Sequence, residues 1–131
     1  MDATLTSLER AFLAEPHVGT ITTLRPDGSP HSTVVWLDVD DDGVFFNTAV
    51  GRAKDRYLRA DPRLSLLVID SASPYRWVAV DGTAELSLDG AVEQIEALAH
   101  KYTGRGFNHV RGQTRICVRI HATRVESYGL D

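Results

Sequence analysis

Gly51-Arg52-Ala53-Lys54 is the segment of the chain best equipped for chemistry, because it sets two cations where a helix begins. The first turn of a helix carries backbone N–H groups without intrahelical partners and the positive end of the peptide dipoles, so it attracts anions. Gly51 removes a Cβ that would hold an oxygen away from the backbone, while Arg52 offers a planar fork and Lys54 a point charge. These features suit a phosphate. Taken alone, four such residues also describe a solvated helix start, so the surrounding pattern has to decide.

Other chemistry has little to build on. The histidines, His17, His31, His100, His109 and His121, lack the i,i+4 pairing and nearby carboxylates of a metal motif, and no metal is expected. The single cysteine, Cys117, lies in a strand-like alternation with no base beside it, as a small buried side chain does. No G-x-S-x-G is present, and the G-x-G of Thr103-Gly104-Arg105-Gly106 follows a helix and lacks a third glycine, so the dinucleotide fold has no support. No catalytic side chain is assigned.

The elements that must position the basic segment can be read from periodicity. Thr6 and Glu9 have capping-box spacing, and Leu5, Leu8 and Phe12 form a stripe, which predicts a helix to about Ala14. Val18 to Leu24 and His31 to Asp38 flank a Pro-Asp-Gly turn and read as a hairpin, and Gly43 to Asn47 is a third strand. A helix over Ala53 to Ala60 is stopped by Asp61-Pro62. Two strands follow, Arg63 to Asp70 and Tyr75 to Leu88, the second bent near Asp81-Gly82. A helix over Ala91 to Tyr102, capped by Asp89, leads through a loop to a last strand, Thr114 to His121. Sequential antiparallel strands with short helices point to a small barrel rather than a doubly wound sheet.

A length of 131 residues fits one domain, 1–131, short enough that a site shared between two chains is plausible. No stretch approaches a membrane span or a signal peptide, and with one cysteine a cytoplasmic setting is expected. The net charge of −4 is unevenly spread. Acid gathers at Asp38 to Asp42, whereas Ala97 to Val125 holds Lys101, Arg105, Arg111, Arg115, Arg119 and Arg124 without one acidic residue. Overall negative charge and sparse aromatic interleaving speak against nucleic acid.

The order of these motifs resembles the split β-barrel flavin-binding superfamily of pyridoxamine 5′-phosphate oxidase, and within it the actinobacterial branch that uses the deazaflavin coenzyme F420. The resembling segments are Thr22 to His31, Phe46-Asn47-Thr48 with Gly51-Arg52-Ala53-Lys54, Asp61-Pro62-Arg63, and Pro74 to Val78 with Asp81-Gly82-Thr83-Ala84. The resemblance implies a mainly β (α+β) split barrel of six or so antiparallel strands with short flanking helices. It further implies a homodimer with the cofactor at the subunit interface, acting on a small-molecule substrate.

Carried over, Ser32, Thr33, Val34 and Val35 would line the cofactor, Asn47 and Thr48 would pass under its ring and linker, and Gly51, Arg52 and Lys54 would hold the phosphate. Trp77 is expected against the ring system in preference to Trp36. The oxidase's C-terminal extension has no counterpart after Tyr128-Gly129-Leu130-Asp131, an expectation against oxidation of pyridoxamine phosphate. The implied activity is F420-dependent reduction of an electron-poor organic substrate. An FMN-binding reductase or flavin-binding protein on the same barrel, and a non-enzymatic cofactor carrier, remain open. A mobile basic loop around Lys101, Arg105 and Arg111 is further expected to meet the polyglutamate tail of the deazaflavin.

Overall fold

The computed structural model describes residues 2–131. Helix α1 (Ser7–Ala14) is followed by strands β1 (Gly19–Leu24), β2 (Pro30–Val35), β3 (Leu37–Asp40) and β4 (Gly43–Ala49), then helix α2 (Ala53–Ala60). Strands β5 (Arg63–Asp70) and β6 (Ser73–Ser87), helix α3 (Ala91–Thr103) and strand β7 (Arg115–Tyr128) complete the chain. All neighbouring strands are antiparallel, in one seven-stranded sheet of order β2-β1-β5-β6-β7-β4-β3. The fold is a split β-barrel.

The split falls at one residue. The chain read as a single strand from His31 to Asp38 pairs with β1 up to Val35 and with β4 from Leu37, so β2 and β3 are the two opposite edges of the sheet, joined through Trp36. Val35 and Leu37 both stay buried, and the side-chain alternation runs on unbroken across the joint. Alternation encodes which face is buried, not which neighbour is paired, and this is why the interruption leaves no mark in the sequence.

The inward face of the sheet holds the core. Ile21, Leu37, Phe46, Leu66, Val78, Val80, Ile116 and Val118 interdigitate there with Phe12 and Leu13 of α1 and Leu58 of α2. The capping box of α1 forms as expected, and the second oxygen of the buried Glu9 carboxylate accepts from the Ser127 hydroxyl at 2.7 Å, pinning the last strand to the first helix. The bend in β6 also lies where expected, with a register shift between Asp81 and Gly82. A Cβ on Gly82 would lie 2.2 Å from the His121 carbonyl oxygen, so the crossing requires glycine.

Two further expectations are corrected. Strand β7 runs seven residues past His121, because Ala122 to Tyr128 pair with the first half of β6 although they are too polar to show an apolar alternation. Helix α3 starts from Gly90 in the left-handed conformation (φ 73°) with no side-chain cap, and Asp89 instead offers its carbonyl to the Cys117 thiol. The outward face of β2, β1, β5, β6 and β7 carries an apolar band, in which Val34, Leu67 and Ile69 are exposed and Trp77 stacks on Tyr128 with centroids 6.3 Å apart.

Candidate anion-binding site

Strand β4 ends beside the start of β7, with Ala49 opposite Arg115, and the turn after it delivers the basic segment to the same place. Gly51 turns with φ +87° and donates its N–H to the Asp55 carboxylate at 2.9 Å, which fixes the entry to α2. Arg52 is the N-cap of α2 and its carbonyl accepts the first intrahelical bond from Arg56, so the amides of Ala53, Lys54 and Asp55 are left without helical partners. A cavity of about 200 Å³ opens here, lined by Val34, Val35 and Trp36 at the split, Asn47, Arg52, Lys54, Ile95 and Leu98 of α3, Phe107 and Arg115.

Three cations converge on this cavity and no carboxylate answers them. Among the described residues Arg52, Lys54 and Arg115 form no ion pair. Instead neutral groups orient them. Lys54 Nζ donates to the Thr33 hydroxyl at 3.0 Å, Arg115 Nε donates to the Asn47 side-chain carbonyl at 2.9 Å, and Arg115 also donates to Gln113. The Asn47 amide is itself fixed by donating to the Ala91 carbonyl and to Gln94, both at 2.9 Å. Phe107 lies under the Arg115 guanidinium at 4.9 Å.

The electrostatic consequence is mutual destabilisation. Burial, and then the charges of Arg52 and Arg115, hold the Lys54 ammonium below the usual lysine range, and burial and Arg52 pull Arg115 down in the same way. Partly buried cations that repel one another and lack a counter-charge are relieved by an anion. With a helix N-terminus alongside, the arrangement can bind a phosphate and offers no nucleophile or paired acid and base.

The expected site residues divide accordingly. Val34, Val35, Asn47, Arg52 and Lys54 line the cavity, Thr33 orients Lys54, and Gly51 shapes the turn. Ser32 is exposed and exchanges a hydrogen bond with Thr22 at 2.8 Å, on the outward face and away from the Lys54 contact. Thr48 faces the barrel interior, fully buried, its hydroxyl without a partner among the described residues. Trp77 is not brought to this cavity within the chain, since it pairs with Tyr128 at the far end of β7 from Arg115. Trp36 lines it instead, stacked on Tyr102 with centroids 5.5 Å apart and planes 8° from parallel.

Arg115 is the residue that sequence reasoning counted only as one of a basic run. Its signal was the absence of acid from Ala97 to Val125, and the pairing that places it is nonlocal. Lys101 is lost from the expected tail contacts, because it donates to the Leu13 and Leu37 carbonyls and pairs with Asp38 at 3.2 Å. The loop after α3 is tethered as well. Glu96 accepts from the Phe107 N–H at 3.3 Å and pairs with His109 at 2.6 Å.

Comparison with known proteins sets this geometry in context. A family model described as pyridoxamine 5′-phosphate oxidase matches residues 5–129. An F420H(2)-dependent biliverdin reductase of Mycobacterium tuberculosis is 26% identical over 115 residues, 88% of this chain and 82% of that protein. A pyridoxine/pyridoxamine 5′-phosphate oxidase of Rubrobacter xylanophilus is 40% identical over 76 residues, 57% of this chain and 35% of the oxidase. The solved structure of an F420 reductase superposes with a TM-score of 0.79 at 26% identity, covering 89% of this chain and 94% of the other. A conserved hypothetical protein of Mycobacterium tuberculosis gives 0.77 at 29% identity, covering 97% and 86%.

Proposed function

The chain belongs to the pyridoxamine 5′-phosphate oxidase family, and on that premise we propose that it is a coenzyme F420-dependent reductase working as a homodimer. The observation that carries the reading is the cavity of Arg52, Lys54 and Arg115, three cations without a counter-charge at a helix start, which suits a cofactor's phosphate. The reduced deazaflavin, when bound, supplies a hydride to an electron-poor substrate such as a conjugated carbonyl or a bilin. The protein supplies placement and electrostatics, with Thr33 aiming Lys54 and Asn47 aiming Arg115.

Size and surface support the dimer reading. A cavity of about 200 Å³ is below the ~300–1,000 Å³ of ordinary small-molecule pockets, so a tricyclic ring needs further walls. Val34 belongs to both the cavity and the outward apolar band that continues through Leu67, Ile69 and Trp77, and a second copy of the chain covering that band would complete the site. Trp77 reaches a ring only through such an interface.

An FMN-bound reductase is the second reading, favoured by the 40% local identity to the oxidase. Fluorescence titration of the purified protein with FMN and with F420, alongside sedimentation, separates the two. F420 binding that is tighter than FMN and weakens with salt, by a dimer, is the expected result. Protein that purifies yellow with FMN and ignores the deazaflavin moves the chain to the second reading.

A further inference from the structure

We propose that the loop after α3 is a gate on the anion cavity, kept shut by Glu96 acting through Phe107. The inference rests on the phosphate reading of Arg52, Lys54 and Arg115 and concerns how a ligand enters and leaves that site. Glu96 is a positioning residue here, since Ile95 and Leu98 beside it on α3 line the cavity and its own side chain does not.

Little else holds the loop down. Of residues 104–112 only Phe107 is not exposed, so the segment buries almost no apolar surface of its own. Between Gly106 and Gly112, among the described residues, the hydrogen bonds to the body of the fold all end on the Glu96 carboxylate. The Phe107 N–H donates to Oε2 at 3.3 Å, and the His109 imidazole meets Oε1 at 2.6 Å. The loop backbone also comes close, for a Cβ on Gly106 would lie 3.2 Å from the same Oε2. Bonding to His109, and then to the Phe107 N–H, holds the Glu96 carboxyl below the usual range and keeps it ionised.

The latch is coupled to the cavity through two rings. The His109 ring meets Phe107 edge-on, with centroids 5.1 Å apart and planes at 81°, and Phe107 in turn lies under the Arg115 guanidinium at 4.9 Å. One carboxylate thus sets where Phe107 stands, and Phe107 walls the cavity on the Arg115 side.

A gate differs from a contact in its kinetics. A side chain that only touches the ligand changes the rate of departure, whereas one that bars the entrance slows departure and arrival alike. An exposed ion pair contributes little to global stability, so the latch can be removed without unfolding the barrel.

The test follows FMN and F420 binding by stopped-flow fluorescence in wild type, Glu96→Ala, Glu96→Gln, Phe107→Ala, the Glu96→Ala/Phe107→Ala double variant and Arg52→Ala. Amide hydrogen exchange is read on the unliganded proteins, and thermal melts confirm the fold. Glu96→Ala is expected to speed exchange at Phe107 about tenfold and to raise the association and dissociation rates together by a similar factor, with affinity changed less than about threefold. Glu96→Gln, which retains an acceptor for the Phe107 N–H, should recover most of that loss. The double variant should be no faster than Phe107→Ala alone, because Glu96 acts through that ring. Unchanged rates in Glu96→Ala, a dissociation rate that rises alone, or additive effects in the double variant overturn the gate and leave the phosphate reading standing. Affinity indifferent to Arg52→Ala overturns the phosphate reading, and the gate with it.

Discussion

The molecule has a larger cavity than the one assigned to the cofactor, and the contrast between them is instructive. On the outward face of β4, β7 and β6, a space of about 750 Å³ is lined by Phe45, Glu85, Cys117, Arg119 and His121 among others. Its cations are already answered. Arg119 makes two hydrogen bonds of 2.7 Å to Asp40, and His121 lies 3.5 Å from Glu85. The smaller cavity has three cations and no acid. Volume marks where a ligand fits, whereas uncompensated charge marks where the fold has been left waiting for one.

Removing the imbalance should have the largest effect. Lys54→Met deletes a charge-assisted contact of roughly 1.5–3 kcal/mol, and cofactor affinity by fluorescence titration is expected to fall accordingly. The same change relieves repulsion among Lys54, Arg52 and Arg115, so the unliganded variant should melt no lower than wild type. The sign of the pH dependence follows. Folded Lys54 releases its proton at lower pH than the unfolded lysine, so between that lowered value and the unfolded range near ~10.4 the unfolded state binds more protons and stability rises with pH. Lys54→Met should lose that rise in thermal melts.

The wall of the site should be the next most sensitive. Burial pushes the Tyr102 hydroxyl up to about 12, so its stabilisation is complete below the unfolded value of ~10 and is lost as pH rises through the folded one. Tyr102→Phe removes partners from Leu37 and His17 at a cost of about 1–2 kcal/mol, measured by denaturant titration, and should flatten that alkaline loss.

Neutralising the other cavity should matter least. Asp40→Asn frees Arg119, but Asp40 is half exposed, so about 0–1 kcal/mol of stability is expected to disappear. Arg119 hydrogen bonding keeps the Asp40 carboxyl below the usual range, and its contribution is present above ~3.9 and fades as pH falls through the lowered folded value. Acid melts of the variant should lack that decline.

How far the site was legible depends on sequence distance. Helix α2 and strand β5 lie at the bounds that Asp61-Pro62 and the alternation of Leu64, Leu66 and Val68 imply, because their signals are local. Arg52 and Lys54 were readable for the same reason. Arg115 enters the site only through the Ala49–Arg115 pairing of two strands far apart in the chain, and Trp36 only through the change of pairing partner between β2 and β3. Asp89 has the composition of a cap, but the left-handed Gly90 that follows starts α3 without it.

The Tyr102 and Lys101 contacts on Leu37 also bear on a hazard of open sheets. Strand β3 is a free edge, and a free edge offers N–H and C=O groups to any other strand. At Leu37 those groups are occupied by the Tyr102 hydroxyl and the Lys101 ammonium from the end of α3. The same contacts that brace the wall of the anion-binding cavity therefore guard the seam of the barrel against strand addition, and a chain whose α3 frays would be exposed to edge-to-edge aggregation along β3.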